Sequence, residues 1–282
     1  MSNHTKEKLI LDVSNFGVTY NGRIIVRDIN LQIHDIRRPA ITTDNGEVHL
    51  VTGQKLGLLG PSGSGKSTIF RHLAGFESPK IGSIKVGVNL GAVSPGDVGV
   101  VFQEYILFDY MTVFENLLEG ALQSGLKKAT AIEYAERMLK DFGLEGQRDL
   151  YPVQVSGGQR QRTAIAQQVL RACQSPDGFL LLMDEPFSGL SPELTEQACK
   201  IINAVTNMHE YNTSIIVTHD VSAAVAVCDN IVLLGREEGK PGYTIVEVYD
   251  LAAMELAWHP DILNLPQAQA LISQIKARFR TL

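Results

Sequence analysis

The sequence has little that would tie it to a membrane, to the secretory route or to nucleic acid. Apolar runs such as FLLLM at 179–183 stop far short of the roughly 20 residues a bilayer helix needs. The opening MSNHTKEKLI lacks the apolar stretch and small-residue cleavage site of a secretory leader, so a cytoplasmic chain is expected. Cysteines number only 3, and Cys173, Cys199 and Cys228 are widely spaced with no metal-ligand pattern. That excludes a disulfide framework and points to reduced thiols. Positive charge is also lacking, with 25 Lys and Arg against 31 Asp and Glu for a net charge of −6. Nucleic-acid binding driven by counterion release is therefore not expected. No internal repeat or low-complexity tract is present.

What remains is an ordinary soluble composition, 44% hydrophobic and 20% charged, in 282 residues that can bury a large core as one or two domains. The first segments read as strands: FGVTY at 16–20, then DINLQI at 28–33 after the turn NGR. Residues 40–52 read as a hairpin about Asp44-Asn45-Gly46, whose preference for positive φ suits a tight turn. From residue 55 strands and helices alternate, which predicts a mainly parallel sheet covered on both faces. The strands are KLGLL (55–59), VGVVF (98–102), FLLLM (179–183), SIIVT (214–218) and NIVLL (230–234), with helices starting at 157, 192 and 221. A helical unit over about 104–154 interrupts that pattern. Thr112 and Glu115 form a capping box there, and Ile132, Ala135, Leu139 and Phe142 mark a helical face ending at Gly143. In the tail, Leu271, Ile275 and Phe279 share one helical face.

Two stretches carry most of the chemistry. GPSGSGKS at 60–67 fits the phosphate-loop pattern G-x-x-x-x-G-K-[ST], between a strand and a helix as that loop requires. Glycines at 60, 63 and 65 let backbone N–H groups converge on phosphate oxygens at a helix N-terminus. Gly60, Pro61, Ser62, Gly63, Ser64, Gly65, Lys66, Ser67 and Thr68 are the expected nucleotide-binding residues. Lys66 would meet the β- and γ-phosphates, and Ser67 would offer a hydroxyl to Mg²⁺. FLLLMDEP at 179–186 is an apolar strand ending in two carboxylates. Asp184 suits Mg²⁺, and Glu185 suits polarising an attacking water.

With those two stretches in place, the remaining motifs resemble the ATP-binding subunits of ABC transporters, over roughly residues 10 to 250. Gln103, after its strand, is similar to the family's Q-loop glutamine, a Mg²⁺ ligand and catalytic residue. VSGGQ at 155–159 resembles the signature LSGGQ, with Val155 as a mild departure. His219 resembles the switch histidine, and Tyr20 the aromatic residue that stacks on adenine. Singly, a glutamine after a strand or a lone histidine is ordinarily structural; their order and spacing give them weight. The resemblance implies ATP and Mg²⁺ as ligands and two cassettes meeting head to tail. Ser156, Gly157, Gly158 and Gln159 of one would then close on the other's ATP.

The resemblance implies a P-loop NTPase core with an antiparallel β-subdomain and an inserted helical subdomain. The ATPase domain is expected over 8–250, with the helical subdomain at about 104–154 and the hairpin at about 35–52, followed by a helical extension over 251–282. The implied function is ATP hydrolysis that powers a separate permease, import rather than export, with the subunit peripheral on the inner membrane face. A second ATPase subunit, membrane permease subunits and a solute-binding protein are the implied partners. The alternative is a non-transport relative acting on nucleic acid or ribosomes. Two features depart from the family. Ser191 stands where an aspartate is usual, and the connection holding the hairpin is longer than in family members.

Overall fold

The computed structural model of the protein describes residues 5–37, 41–42, 48–49, 53–172, 178–257, 259 and 261–282. Strand β1 (Thr5–Tyr20) turns at Asn21 and Gly22, φ 49 and 76, into antiparallel β2 (Arg23–Arg37). Left-handed conformation at both turn residues matches the right-handed twist of the paired strands. A separate two-stranded sheet joins β3 (Ile41–Thr42) and β4 (Val48–His49), and β5 (Gln54–Leu59) leads to α1 (Lys66–Leu73). Next come β6 (Ile81–Val86), β7 (Gly91–Ala92) and β8 (Val98–Val101). Helices α2 (Val113–Gln123), α3 (Lys128–Asp141) and α4 (Gly157–Ala172) follow. The chain then alternates: β9 (Leu180–Asp184), α5 (Pro192–Thr206), β10 (Thr213–Thr218), α6 (Val221–Val227), β11 (Asn230–Gly235), β12 (Thr244–Asp250) and α7 (Pro266–Phe279).

Two larger sheets result, ordered β2-β1-β6-β7 and β12-β11-β5-β10-β9-β8. The second is parallel except for β12 at its edge. Its parallel strands are buried on both faces, which is why they read as continuous apolar runs. The two-residue period still sorts them. Leu59, Leu181, Met183, Ile216 and Leu233 join the core shared with the helices. Leu58, Leu180, Leu182, Val217 and Leu234 join the core shared with α1 and the antiparallel sheet. Each such leucine, fully buried, contributes about 1.5–3 kcal/mol.

Below the middle of the parallel sheet, Lys55 of β5 and Asp229 before β11 form an ion pair 3.5 Å apart, both shielded from water. Backbone bonds Asp229 N–H to the Lys55 carbonyl and Lys55 N–H to the Asp229 carboxylate, each 2.8 Å, reinforce it. A buried pair of this kind is sensitive to losing either member.

The helical segment begins with a complete capping box. Glu115 N–H donates to Thr112 Oγ1 and Thr112 N–H to the Glu115 carboxylate. Helix α3 buries Ala135 and Leu139 as expected, with Phe142 just past its end, and departs from the expected stripe only at Ile132. Ala131, Ala135, Met138 and Leu139 are buried, whereas Ile132 lies at the surface. α3 packs mainly against α2, with Ala131 and Ala135 in the shared core.

The structure departs from the sequence reading elsewhere. The first two strands run far beyond 16–20 and 28–33, and β6, β7 and β12 were not anticipated. Asp35 and Ile36 are buried within β2, so the first residues assigned to the 35–52 hairpin belong to the antiparallel sheet instead. Its turn at Asp44-Asn45-Gly46, like Cys173, falls outside the described residues. Cys199 and Cys228 are free and buried; burial pushes the Cys199 thiol up to about 12 and Cys228 well above its usual value.

Candidate functional site

Four neighbouring strands deliver their carboxyl ends to one place. β5 runs into the phosphate loop, β8 into Gln103, β9 into Asp184 and Glu185, and β10 into Thr218 and His219. Their register is parallel, Thr218 opposite Leu59 and Val217 opposite Asp184. Ligands of open parallel sheets bind beyond such carboxyl ends.

The loop at 60–68 is shaped by its glycines. Gly63 and Gly65 are left-handed, φ 78 and 87. A β-carbon on Gly65 would lie 2.5 Å from a methyl of Val26, so the loop rests directly on β2. A β-carbon on Gly60 would lie 2.6 Å from Ser64 Oγ, a buried hydroxyl with no hydrogen-bond partner. On Gly63 it would meet nothing, because that glycine faces open space. Pro61 accepts a bond from Ser64 N–H at 3.1 Å, closing the loop, and Gly65 accepts from Ile69 N–H at the start of α1. Ser62 and Ser67 are exposed on the open side and Thr68 is half-buried.

Lys66 folds back over this loop, donating to the carbonyls of Gly60 at 2.8 Å and Pro61 at 3.1 Å. Burial lowers its pKa, while the charges of Glu185 and Asp184 oppose that shift. Burial first, and the charge of Glu185 second, raise the pKa of Asp184. Two adjacent carboxylates and a lysine, all part-buried, form a site that calls for further cationic charge. The donor set at hand, the Ser67 hydroxyl, the Gln103 amide and the Asp184 carboxylate, is all hard oxygen, which suits Mg²⁺.

Glu185 has an unusual backbone for a non-glycine residue, φ 48, with its N–H bonded to the Val217 carbonyl at 2.8 Å. Its carboxylate meets His219 Nδ1 at 2.9 Å through Oε1. Oε2 accepts from Thr218 Oγ1 at 3.0 Å and from His219 N–H at 3.4 Å. The His219 ring is otherwise open to solvent. Gln103 Nε2 reaches Ser188 Oγ at 3.3 Å, joining its loop to the segment after Glu185. Thr218 was not singled out from the sequence, since a threonine at a strand end gives no signal without its partner.

Tyr20 lies apart from that cluster, at the end of β1 and 43% exposed. Its hydroxyl donates to Glu77 at 2.6 Å, and Arg71 Nε holds the other carboxylate oxygen at the same distance. Ser156 and Gln159 form a reciprocal cap on α4: Ser156 N–H donates to Gln159 Oε1 at 2.8 Å and Gln159 N–H to Ser156 Oγ at 3.3 Å. Val155 is buried beneath them. A β-carbon on Gly157 would meet nothing, and on Gly158 only an ordinary contact with Leu194 at 3.5 Å. Ser191 caps α5, accepting from Leu194 N–H at 3.4 Å.

Among the described residues no helix is long and apolar enough to cross a membrane. Residues 43–188, over half of the chain, match a family described as ABC transporter. An Fe(3+) ions import ATP-binding protein of Agrobacterium fabrum is 39% identical over 204 residues, 71% of this chain and 56% of that protein. The chain thus spans little more than half the length of that relative. A sulfate/thiosulfate import ATP-binding protein of Pectobacterium atrosepticum is 36% identical over 245 residues, 84% of this chain and 71% of the relative. Among solved structures, cbiO1 of Clostridium perfringens, part of an ABC transporter complex, aligns with a TM-score of 0.70 at 24% identity, covering 95% of this chain and all of the other. That likeness shows the fold, a P-loop NTPase core with its antiparallel sheet and helices.

Proposed function

The chain belongs to the family of ABC transporter ATP-binding subunits, and on that premise we propose that it binds and hydrolyses ATP as a head-to-tail pair that drives a separate membrane permease. The observation that carries the pairing is the helix start at Gly157 and Gly158. Glycine is a poorer helix former than alanine. Neither has positive φ, and neither is required by contacts within the chain. Bare backbone at a capped helix N-terminus is useful to an anion approaching from outside. The γ-phosphate held on a partner's residues 60–68 is that anion.

In this reading Lys66 leaves the carbonyls of Gly60 and Pro61 for the β- and γ-phosphates, and the N–H groups about Gly63 and Gly65 take the remaining oxygens. Tyr20, its hydroxyl anchored on Glu77, presents its ring to adenine. Ser67, Gln103 and Asp184 would hold Mg²⁺, which supplies charge neutralisation to the phosphates when bound. Glu185 accepts a proton from, or polarises, the attacking water, and His219 fixes the carboxylate that does so.

The permease contact falls on the face beside Gln103. A hollow of about 340 Å³ there is lined by Phe76, Phe102, Ile106 and Phe108. The Phe76 and Phe102 rings stack 6.1 Å apart, and Phe76 and Ile106 are largely exposed. An apolar patch of this kind marks a protein contact. Relatives named as import proteins favour import over export and over a role on nucleic acid, and a solute-binding protein would complete such a system. The subunit would sit peripherally on the cytoplasmic membrane face. The ATPase domain is taken as 8–250 with the helical segment 104–154 inserted, and 251–282 as an extension packed on it.

Glu185→Gln tests this reading. The amide is nearly isosteric and leaves Lys66, Ser67 and Asp184 in place, so MgATP should still bind while hydrolysis falls by about 10²–10⁴. In size-exclusion chromatography with ATP and Mg²⁺ the variant should elute as a dimer, and adding Ser156→Arg should return it to monomer. A Glu185→Gln protein that binds ATP tightly but stays monomeric at high concentration would refute self-pairing.

A further inference from the structure

Pro186, immediately after Glu185, is gripped by its carbonyl oxygen from two directions. Tyr105 Oη donates to it at 3.0 Å, and Gln161 Nε2 donates at 2.5 Å. A carbonyl oxygen has two lone pairs and can accept both bonds at once. Gln161 is withdrawn from water and Tyr105 partly so. Gln161 is 2% exposed, and burial pushes the half-buried Tyr105 phenol up to about 12.

The two donors come from different places in the chain. Tyr105 lies just beyond Gln103, where the chain leaves the parallel sheet for the helical segment. Gln161 lies on α4, the helix that begins at Gly157 and brings the chain back. The acceptor is next to Glu185, whose backbone, like that of Tyr105 itself, is left-handed at φ 48. Glu185 stands directly before a proline, and proline restricts the backbone of the residue preceding it. A non-glycine residue persists there only where its surroundings over-determine it. The bond from Glu185 N–H to the Val217 carbonyl fixes one side, and Ser188 N–H bonding the Glu185 carbonyl at 3.1 Å closes the turn. Neither reaches the Pro186 carbonyl, which Tyr105 and Gln161 hold.

We propose that Tyr105 and Gln161 are positioning residues for the Glu185 carboxylate, fixing through the Pro186 carbonyl the strained backbone from which that carboxylate reaches water. The inference rests on the reading of Glu185 as the group that acts on the water. It adds a second link between the helical segment and hydrolysis, one that bypasses the Gln103 side chain. Motion of the segment relative to the sheet would pull on the Pro186 carbonyl and so turn Glu185.

The test uses the full chain with Tyr105→Phe, which removes only a hydroxyl, Gln161→Met, which keeps length without a donor, and the double variant. Each single change should lower kcat for ATP by about three- to tenfold, the worth of one neutral hydrogen bond. KM and the affinity for a fluorescent ATP analogue should stay at parental values. The double variant should lose more than the product of the single losses, since either donor alone still holds the carbonyl. Hydrogen–deuterium exchange should quicken over residues 184–190 in each variant and stay unchanged over 60–68. Parental exchange over 184–190 in the double variant would overturn the proposal, whatever the hydrolysis rate. So would a loss of kcat matched by an equal loss of nucleotide affinity. Glu185→Gln, measured alongside, separates the two readings. If it hydrolyses ATP at the parental rate, the role of Glu185 has failed, while exchange still reports whether Tyr105 and Gln161 hold the loop.

Discussion

His219 Nδ1 lies 2.9 Å from Glu185 Oε1, with the imidazole 68% exposed and the carboxylate 15% exposed. The ring therefore links a shielded carboxylate to open solvent. His219→Ala should leave ATP affinity intact, because the loop at 60–68 is untouched. Hydrolysis should fall by about 10²-fold or more, as the carboxylate loses its ring partner. A filter-binding assay beside a phosphate-release assay separates the two, and an equal loss in both would count against this pairing.

Asp184 makes a prediction about stability rather than rate. Its pKa in the folded chain lies above the ordinary 3.8, through burial and then the charge of Glu185. Between the two values the native state holds the extra proton, so stability rises as pH falls through the raised pKa and levels off below 3.8. Above that window the ionised group weighs against the fold. Asp184→Asn removes that burden, and in nucleotide-free buffer it should melt at a higher temperature than the parent at neutral pH. The difference should shrink as the pH is lowered toward 3.8. Melting curves across that range decide it, and a gap independent of pH would refute the argument.

Gly120 sets how closely α2 approaches α4. A β-carbon there would lie 2.5 Å from the Gln167 carbonyl, backbone that cannot step aside. Gly120→Ala should cost about 1–3 kcal/mol in chemical denaturation despite alanine's better helix propensity. Unchanged or increased stability would mean that the two helices separate freely.

Ser191 caps α5 but lacks the charge usual in the family. Ser191→Ala should cost about 1 kcal/mol, whereas Ser191→Asp keeps a side-chain acceptor for the helix N-terminus and should hold stability. Hydrolysis by the aspartate variant should equal or exceed the parent's. A folded Ser191→Asp protein with lower turnover would show that this chain follows a different rule at that position.

Much of the fold was legible because strands such as FLLLM and SIIVT are buried on both faces and leave unbroken apolar runs. β12 was not, because TIVEVYD sets its apolar residues in adjacent pairs around Glu247, without alternation, and this edge strand mixes buried, half-buried and exposed residues. β1 extends beyond its legible part because Asn15, left-handed at φ 48, and the irregular pairing around it break the alternation along the strand. The site motifs stood out because phosphate and metal chemistry demand particular residue types at fixed local spacing. The groups that hold them did not. Thr218 meets Glu185 across 33 positions, and Tyr105 meets Pro186 across 81. Such pairs leave no periodic trace in a single sequence.

The long connection between β2 and β5 enters the parallel sheet at Gln54, the amino end of β5. The phosphate loop leaves from the other end, about 20 Å away at roughly 3.3 Å per strand residue. The sheet thus keeps two separate ledges. On the carboxyl ledge, adding or deleting a single residue in a strand would shift a reacting group by that same 3.3 Å and turn its side chain to the opposite face. On the amino ledge the connection before β5 can lengthen with no change of register above. Novelty in a protein built this way accumulates on one side of the sheet while the other stays fixed.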